Sequence, residues 1–302
     1  MTNTGRLPDF IAVGSIKCGT TSLHYYFSLH PEIHVSHPKE LHFFVGEKQQ
    51  EKKIPQIQST TGWGNWGKGI DWYRRHFLTS RKVCGEISPG YVDRDWIQIV
   101  VGRMRQFVPG AKVLLLVRQP MDRLWSHYMM LRMQASIRPV SFDEFVLDPD
   151  YSRYRYYSWY GSQLKVLLQH YPSESIKIVE TAALEKMREE TLRDVFKFLG
   201  VDPAFRSEGF KKQMFEGKNR RFPSETGTRI LKSPLMRWAE NHLPFTVYEK
   251  ARNLVLIPFS TDHPHRKLPA DLEKELNLEF QREVTLLRQL SGLPLVSLEV
   301  GS

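Results

Sequence analysis

Four short stretches of the chain are almost continuously aliphatic: Phe10 to Val13, Lys82 to Ile87, Lys112 to Val117 and Ile176 to Val179. Turn residues follow each, and then apolar positions at helical spacing. Between Asp95 and Phe107, the residues Ile97, Val100, Val101 and Met104 recur at i, i+3, i+4 and i+7, which is one face of a helix. Leu192, Val195, Phe196 and Leu199 repeat that spacing, and Gly200 stands where helix C-termini favour glycine. Continuous hydrophobic strands alternating with amphipathic helices predict an α/β fold, a central parallel sheet flanked by helices. No internal repeat and no long Ser/Gly linker interrupts residues 1–302, so a single domain is expected.

Two stretches break the pattern and predict surface loops, which in compact domains are often functional. Gly46 to Gly69 is Lys/Gln-rich and then carries Trp63 and Trp66 among glycines; Gly217 to Gly227 is basic, with Lys218, Arg220 and Arg221. The helical pattern from Glu180 to Val201 precedes the second of them.

Charge narrows the partners. Lys+Arg outnumber Asp+Glu by 43 to 33, a net charge of +10, which favours phosphorylated cofactors, nucleic acid, acidic glycans or anionic membrane. The longest aliphatic run, Val113 to Val117, is far short of the ~20 residues a membrane helix requires. The N-terminus is polar without a signal-peptide pattern, and two cysteines, Cys18 and Cys84, are too few for a disulfide scaffold. These observations together predict a soluble, cytoplasmic protein with no membrane partner.

The first strand runs into Gly14-Ser15-Ile16-Lys17-Cys18-Gly19-Thr20-Thr21-Ser22-Leu23. A strand, a hydroxyl-rich glycine loop and a helix present free backbone N–H groups and the positive helix end to a phosphate. Thr20, Thr21 and Ser22 add hydroxyls, and Lys17 adds a full charge. An ordinary strand–turn–helix capped by Thr20 or Thr21 has the same outline; the lysine within the loop favours phosphate. The loop is P-loop-like but no Walker A, because there the lysine follows the second glycine and here Thr20 does.

A second anion site is predicted where the third strand ends in Arg118-Gln119-Pro120-Met121-Asp122-Arg123-Leu124-Trp125-Ser126. Arg118 lies at the carboxyl end of a strand, where open α/β sheets bind ligands, and Ser126 falls about two turns along the helix that Pro120 opens. Alone, Arg118 would serve equally well as a surface ion-pair partner.

Taken together, Lys17–Ser22 as K-x-G-T-T-S and Arg118, Pro120, Arg123, Ser126 and Tyr128 as R-x-P-x-x-R-x-x-S-x-Y resemble the sulfotransferases that use 3'-phosphoadenosine-5'-phosphosulfate (PAPS). Lys39-Glu40-Leu41-His42-Phe43-Phe44 looks like the K-E-P-H-F-F segment of the heparan sulfate branch, Glu86-Ile87-Ser88-Pro89-Gly90-Tyr91 like its E-K-T-P-x-Y, and Lys218 to Pro223 like its K-G-R-x-H-P. The resemblance runs from about Phe10 to Pro223. It departs at Ile87, which replaces a lysine, at Asn219, which replaces glycine, and at Val45, which stands where Asp is common.

The resemblance implies sulfuryl transfer from PAPS to a hydroxyl or amine of a small-molecule or saccharide acceptor, leaving 3'-phosphoadenosine 5'-phosphate and requiring no metal. Cofactor contacts are then expected from Lys17, Cys18, Gly19, Thr20, Thr21, Ser22, Arg118, Ser126, Lys218, Asn219, Arg220 and Arg221. Lys17 stabilises the leaving oxygen. Glu40 is the general base, with a pKa raised by desolvation, and His42 is the alternative base or an orienter. Trp66, Trp63 and the segment Tyr151 to Tyr160 are candidates for the acceptor pocket. An ATP-dependent phosphotransferase is the alternative enzyme; a basic nucleic-acid-binding protein would leave both ordered motifs unexplained.

Overall fold

The computed structural model describes residues 5–46, 64–212, 221–243 and 245–300. The strands are β1 (Phe10–Gly14), β2 (Ile33–Val35), β3 (Val83–Ile87), β4 (Lys112–Val117), β5 (Ile176–Glu180), β6 (Phe222–Pro223) and β7 (Ser260–Thr261). The helices are α1 (Thr20–Leu29), α2 (Gly69–Arg74), α3 (Ile97–Phe107), α4 (Pro120–Met133), α5 (Phe142–Leu147), α6 (Pro149–Ser152), α7 (Tyr160–Leu168), α8 (Thr181–Lys186), α9 (Arg188–Leu199), α10 (Glu225–Leu231), α11 (Pro234–His242), α12 (Phe245–Val255) and α13 (Ala270–Ser291). The chain forms two compact units, the first drawn from residues 1–123, 156–214 and 276–302, the second from 124–155 and 215–275.

The first unit holds a five-stranded parallel sheet in the order β2-β3-β1-β4-β5. The four aliphatic stretches are β1, β3, β4 and β5; the three-residue edge strand β2 was too short to read from pattern. Its register places Ile33 beside Val83 and Val35 beside Gly85. Every residue of β1 and β3 is buried, as expected for strands covered on both faces.

Topology assigns the helices to faces. From β1 the chain moves outward to β2 through α1, while from β3 it crosses to the opposite side of β1 through α3. With right-handed crossovers those opposite movements put α1 and α3 on opposite faces. Phe27 of α1 meets Phe10 of β1 edge-on at 5.3 Å and Phe196 of α9 at 6.2 Å, so α9 shares the α1 face. The periodic face expected of α3 is buried at Ile97, Val100, Val101 and Met104. Gly200 ends α9 at φ 82°, the left-handed conformation that glycine adopts without steric cost. The helical pattern from Glu180 is two helices rather than one, because Met187 between α8 and α9 leaves helical geometry at φ −125° and ψ 47°.

In the second unit, Trp125, Tyr128, Phe142 and Phe145 form an aromatic cluster, with Trp125 edge-on to Phe142 at 5.0 Å. A smaller core joins Ala135, Leu231, Met236 and Leu256. The basic stretch expected as a loop to Gly227 is corrected at its end: Phe222–Pro223 pairs antiparallel with Ser260–Thr261, and Ser224 caps α10 through the Gly227 N–H. Among the described residues no helix is long and apolar enough to cross a membrane.

Candidate functional site

All five strands of the sheet are parallel, so the segments that follow them, Ser15–Gly19, Ser36–Val45, Ser88–Val92, Arg118 and Thr181, leave the same edge of the first unit. The phosphate-loop residues sit there as the sequence predicts. Ser15 and Cys18 are buried, and Lys17 and Gly19 are half-buried. Gly19 is the N-cap of α1 at φ 86° and ψ 13°, and no side chain caps the helix, so neither Thr20 nor Thr21 takes the capping role. Helix geometry leaves the first-turn N–H groups of Thr20, Thr21 and Ser22 without intrahelical acceptors, which suits them to an anion.

The loop is fastened from behind. Ser15 N–H donates to the Leu116 carbonyl at 2.9 Å, and its Oγ donates to Gln163 Oε1, also at 2.9 Å. Thr181 Oγ1 stands 2.9 Å from the carbonyls of both Cys18 and Val117. The Cys18 thiol lies 3.6 Å from the Tyr160 hydroxyl, and burial pushes its pKa up, so this cysteine is held neutral as part of the support. Arg118 reaches the same place: its Nη1 donates to the Lys17 carbonyl at 3.4 Å, and its backbone N–H donates to Tyr160 at 3.3 Å. Arg123 is wholly buried and donates from Nε to Ser158 Oγ at 2.7 Å, which makes it a structural element of this motif. Ser126 is half-buried on α4, in the second unit.

Glu40 and His42 occupy the segment after β2. Lys39 forms an ion pair with Glu40 Oε1, and His42 Nε2 stands 3.6 Å from Glu40 Oε2. Burial pushes the Glu40 pKa up, but the His42 hydrogen bond and the Lys39 charge outweigh it, and the carboxyl is held at about 2. The raised pKa expected from desolvation is therefore corrected: in this state Glu40 is a carboxylate held between the Lys39 ammonium and the His42 ring. Lys17, Glu40 and His42 share a further feature. Their φ values of 70°, 64° and 46° put all three in the left-handed region, where only Ala135 and Leu295 join them among the described non-glycine residues. Such costly conformations cluster at functional sites.

Trp66 is packing rather than pocket. Its ring meets Phe43 at 5.4 Å and Phe107 at 5.4 Å, with the Arg103 guanidinium 4.2 Å above it. Tyr157 donates to Asp93 at 2.5 Å and Tyr160 backs the phosphate loop, so these two aromatics are structural as well. Arg221 is exposed just before β6. Trp63, Lys218, Asn219 and Arg220 lie outside the described residues.

Sequence reasoning placed Glu86 in a family-like segment but gave it no role. It is completely buried in β3 and accepts hydrogen bonds from Tyr73, Ser88 and Tyr91. Burial pushes its pKa up while the three hydroxyls pull it down. The readable signal was a lone carboxylate inside an aliphatic strand, where an unpartnered charge would be costly. Thr181 and Gln163 carried no such signal.

Comparison with known proteins finds similarity to sulfotransferases. The profile described as "Sulfotransferase family" matches residues 92–205. Bovine bifunctional heparan sulfate N-deacetylase/N-sulfotransferase 2 is 29% identical over 280 residues, 83% of this chain and 29% of that protein. A membrane-associated sulfotransferase, kil1, of Dictyostelium discoideum is 32% identical over 127 residues, 40% of this chain and 22% of that protein. The chain thus spans less than a third of the length of these curated relatives. Among solved structures, a sulfotransferase from Alicyclobacillus acidocaldarius superposes with a TM-score of 0.64 at 24% identity, covering 97% of this chain and 99% of the other.

Proposed function

The chain belongs to the sulfotransferase family, and on that premise we propose that it moves a sulfuryl group from PAPS to a hydroxyl or amine of a small-molecule or saccharide acceptor. The carrying observation is the left-handed backbone shared by Lys17, Glu40 and His42, three residues on two loops at one edge of the sheet. The first turn of α1 and Lys17 would hold the 5'-phosphosulfate, and Arg118, anchored to the Lys17 carbonyl, the 3'-phosphate.

In-line transfer then requires a cation at the departing oxygen and a base at the acceptor. Lys17 supplies the first, so no metal is needed. Glu40 supplies the second. Its low pKa keeps it ionised, and loss of the His42 or Lys39 contact would raise its basicity. Two buried free thiols fit a reducing compartment, which supports a cytoplasmic setting for this activity.

The test is purified protein with PAPS against pooled acceptors, read as the mass gain of one SO3 group. The name of the bovine relative puts an amine on a heparan-type saccharide into that pool. Gain from PAPS with a chelator present supports the reading. Phosphorylation from ATP with magnesium, and none from PAPS, would replace it with the phosphotransferase.

A further inference from the structure

The segment from Glu40 to Val45 is irregular, with Leu41 to Val45 buried, and belongs to no strand or α-helix. Glu40 and His42 take left-handed φ values within it, so it must be held from outside. Its carbonyls are held by one set of groups: Asn65 Nδ2 donates to Leu41 at 2.7 Å, Asn65 N–H to His42 at 3.1 Å, and Arg103 to Phe44 at 2.8 Å.

Its amides are held by another. The His42 N–H donates to Ser88 Oγ and the Phe44 N–H to the Tyr91 hydroxyl, each at 3.3 Å. Both hydroxyls direct their own protons at one buried group: Ser88 donates to Glu86 Oε2 at 2.7 Å and Tyr91 to Glu86 Oε1 at 2.8 Å. A hydroxyl has a single proton, so giving it to Glu86 leaves the lone pairs facing the amides.

We propose that Glu86 is a positioning residue for sulfuryl transfer, fixing through Ser88 and Tyr91 the backbone at His42 and Phe44 and so the stance of the Glu40 carboxylate and the His42 ring. The proposal rests on the reading of Glu40 as the base. Tyr73 provides an internal control. It donates to Glu86 Oε1 at 2.6 Å but touches neither amide through its hydroxyl, and its ring stacks on Phe43 at 4.3 Å whether or not the hydroxyl is present.

Hydrogen exchange at single amides tests the linkage without any acceptor. Ser88→Ala should speed exchange at His42 by about tenfold and leave Phe44 alone; Tyr91→Phe should do the reverse, on the usual worth of one hydrogen bond. Glu86→Gln should speed both, and Tyr73→Phe neither. PAPS turnover, to an acceptor or to water, should fall about tenfold in the first three variants. The melting shift given by 3'-phosphoadenosine 5'-phosphate should persist in all four.

Unchanged exchange at both amides in Glu86→Gln overturns the proposal, as does altered exchange with undiminished kcat. If Glu86→Gln unfolds, exchange rises throughout the chain and the two single-hydroxyl variants carry the test. Full turnover by Glu40→Gln would refute the base reading instead, and the exchange pattern would still report on the linkage.

Discussion

The Thr181 hydroxyl, first residue of α8, stands 2.9 Å from the carbonyl oxygen of Cys18 in the phosphate loop. The same oxygen is 2.9 Å from the Val117 carbonyl, so one side chain joins the ends of β4 and β5 to the loop that follows β1. Thr181→Val keeps the volume and removes the single hydroxyl proton that the Cys18 and Val117 carbonyls share. Such a loss is worth about 1–3 kcal/mol. The variant should melt at a lower temperature and gain less from 3'-phosphoadenosine 5'-phosphate than the parent does. An unchanged ligand-induced shift would show that the loop keeps its shape without Thr181.

How far this edge was legible in the sequence depends on what each residue does. The strands after which the loops fall were readable, because a parallel sheet buried on both faces leaves continuous aliphatic runs such as Val113–Val117. β2 was not, since three residues are too few for any periodicity. Lys17 and Arg118 were readable because charged residues at strand ends stand out from aliphatic neighbours. Thr181, Gln163 and Tyr160 act through long-range hydrogen bonds to the loop, which no local spacing encodes. The low pKa of Glu40 was missed for a related reason. Desolvation can be anticipated from a hydrophobic segment, but the arrangement of Lys39 and His42 around one carboxylate appears only in three dimensions.

Arg118 couples the two anion motifs, through 3.4 Å from its guanidinium to the Lys17 carbonyl. Arg118→Ala should lose most of the melting shift produced by 3'-phosphoadenosine 5'-phosphate, since a charge-assisted contact is worth about 1.5–3 kcal/mol. The shift produced by adenosine 5'-phosphosulfate, which lacks the 3'-phosphate, should be nearly the same in variant and parent. Equal losses for both ligands would mean that Arg118 supports the loop rather than the 3'-phosphate.

Lys39 sets the acid stability of the Glu40 segment. The folded pKa of Glu40, about 2, lies below its ordinary 4.5, so its contribution is present above 4.5 and lost as pH falls towards 2. That gap caps the contribution at about 3 kcal/mol. The carboxylate is 30% exposed and shared with His42, so solvent screening leaves roughly 1 kcal/mol to Lys39. Lys39→Met should be less stable than the parent near neutral pH, and the difference should close only as pH falls to about 2. Denaturant titration at the two pH values measures it, and a difference independent of pH would remove the ion pair from the account.

The base itself is decided by comparing Glu40 with His42. The two stand 3.6 Å apart, Nε2 to Oε2, close enough for either to take the acceptor proton while the other steadies it. Glu40→Gln preserves shape and the capacity to accept a hydrogen bond but removes the proton acceptor. Product binding should survive, because Glu40 and the phosphate-loop amides lie on different loops, while kcat falls by about 10²-fold or more. His42→Asn keeps a donor near Glu40 and should cost less if the ring only orients the carboxylate. The low pKa of Glu40 sharpens the comparison. With His42 gone one stabilising partner of the carboxylate is lost, so the acid limb of the kcat/KM profile should move to higher pH in His42→Asn. Each variant needs a melting shift with 3'-phosphoadenosine 5'-phosphate to confirm that it is folded. Full turnover by Glu40→Gln together with a dead His42→Asn would transfer the base to His42, and the carboxylate would then be the group that holds the imidazole in place.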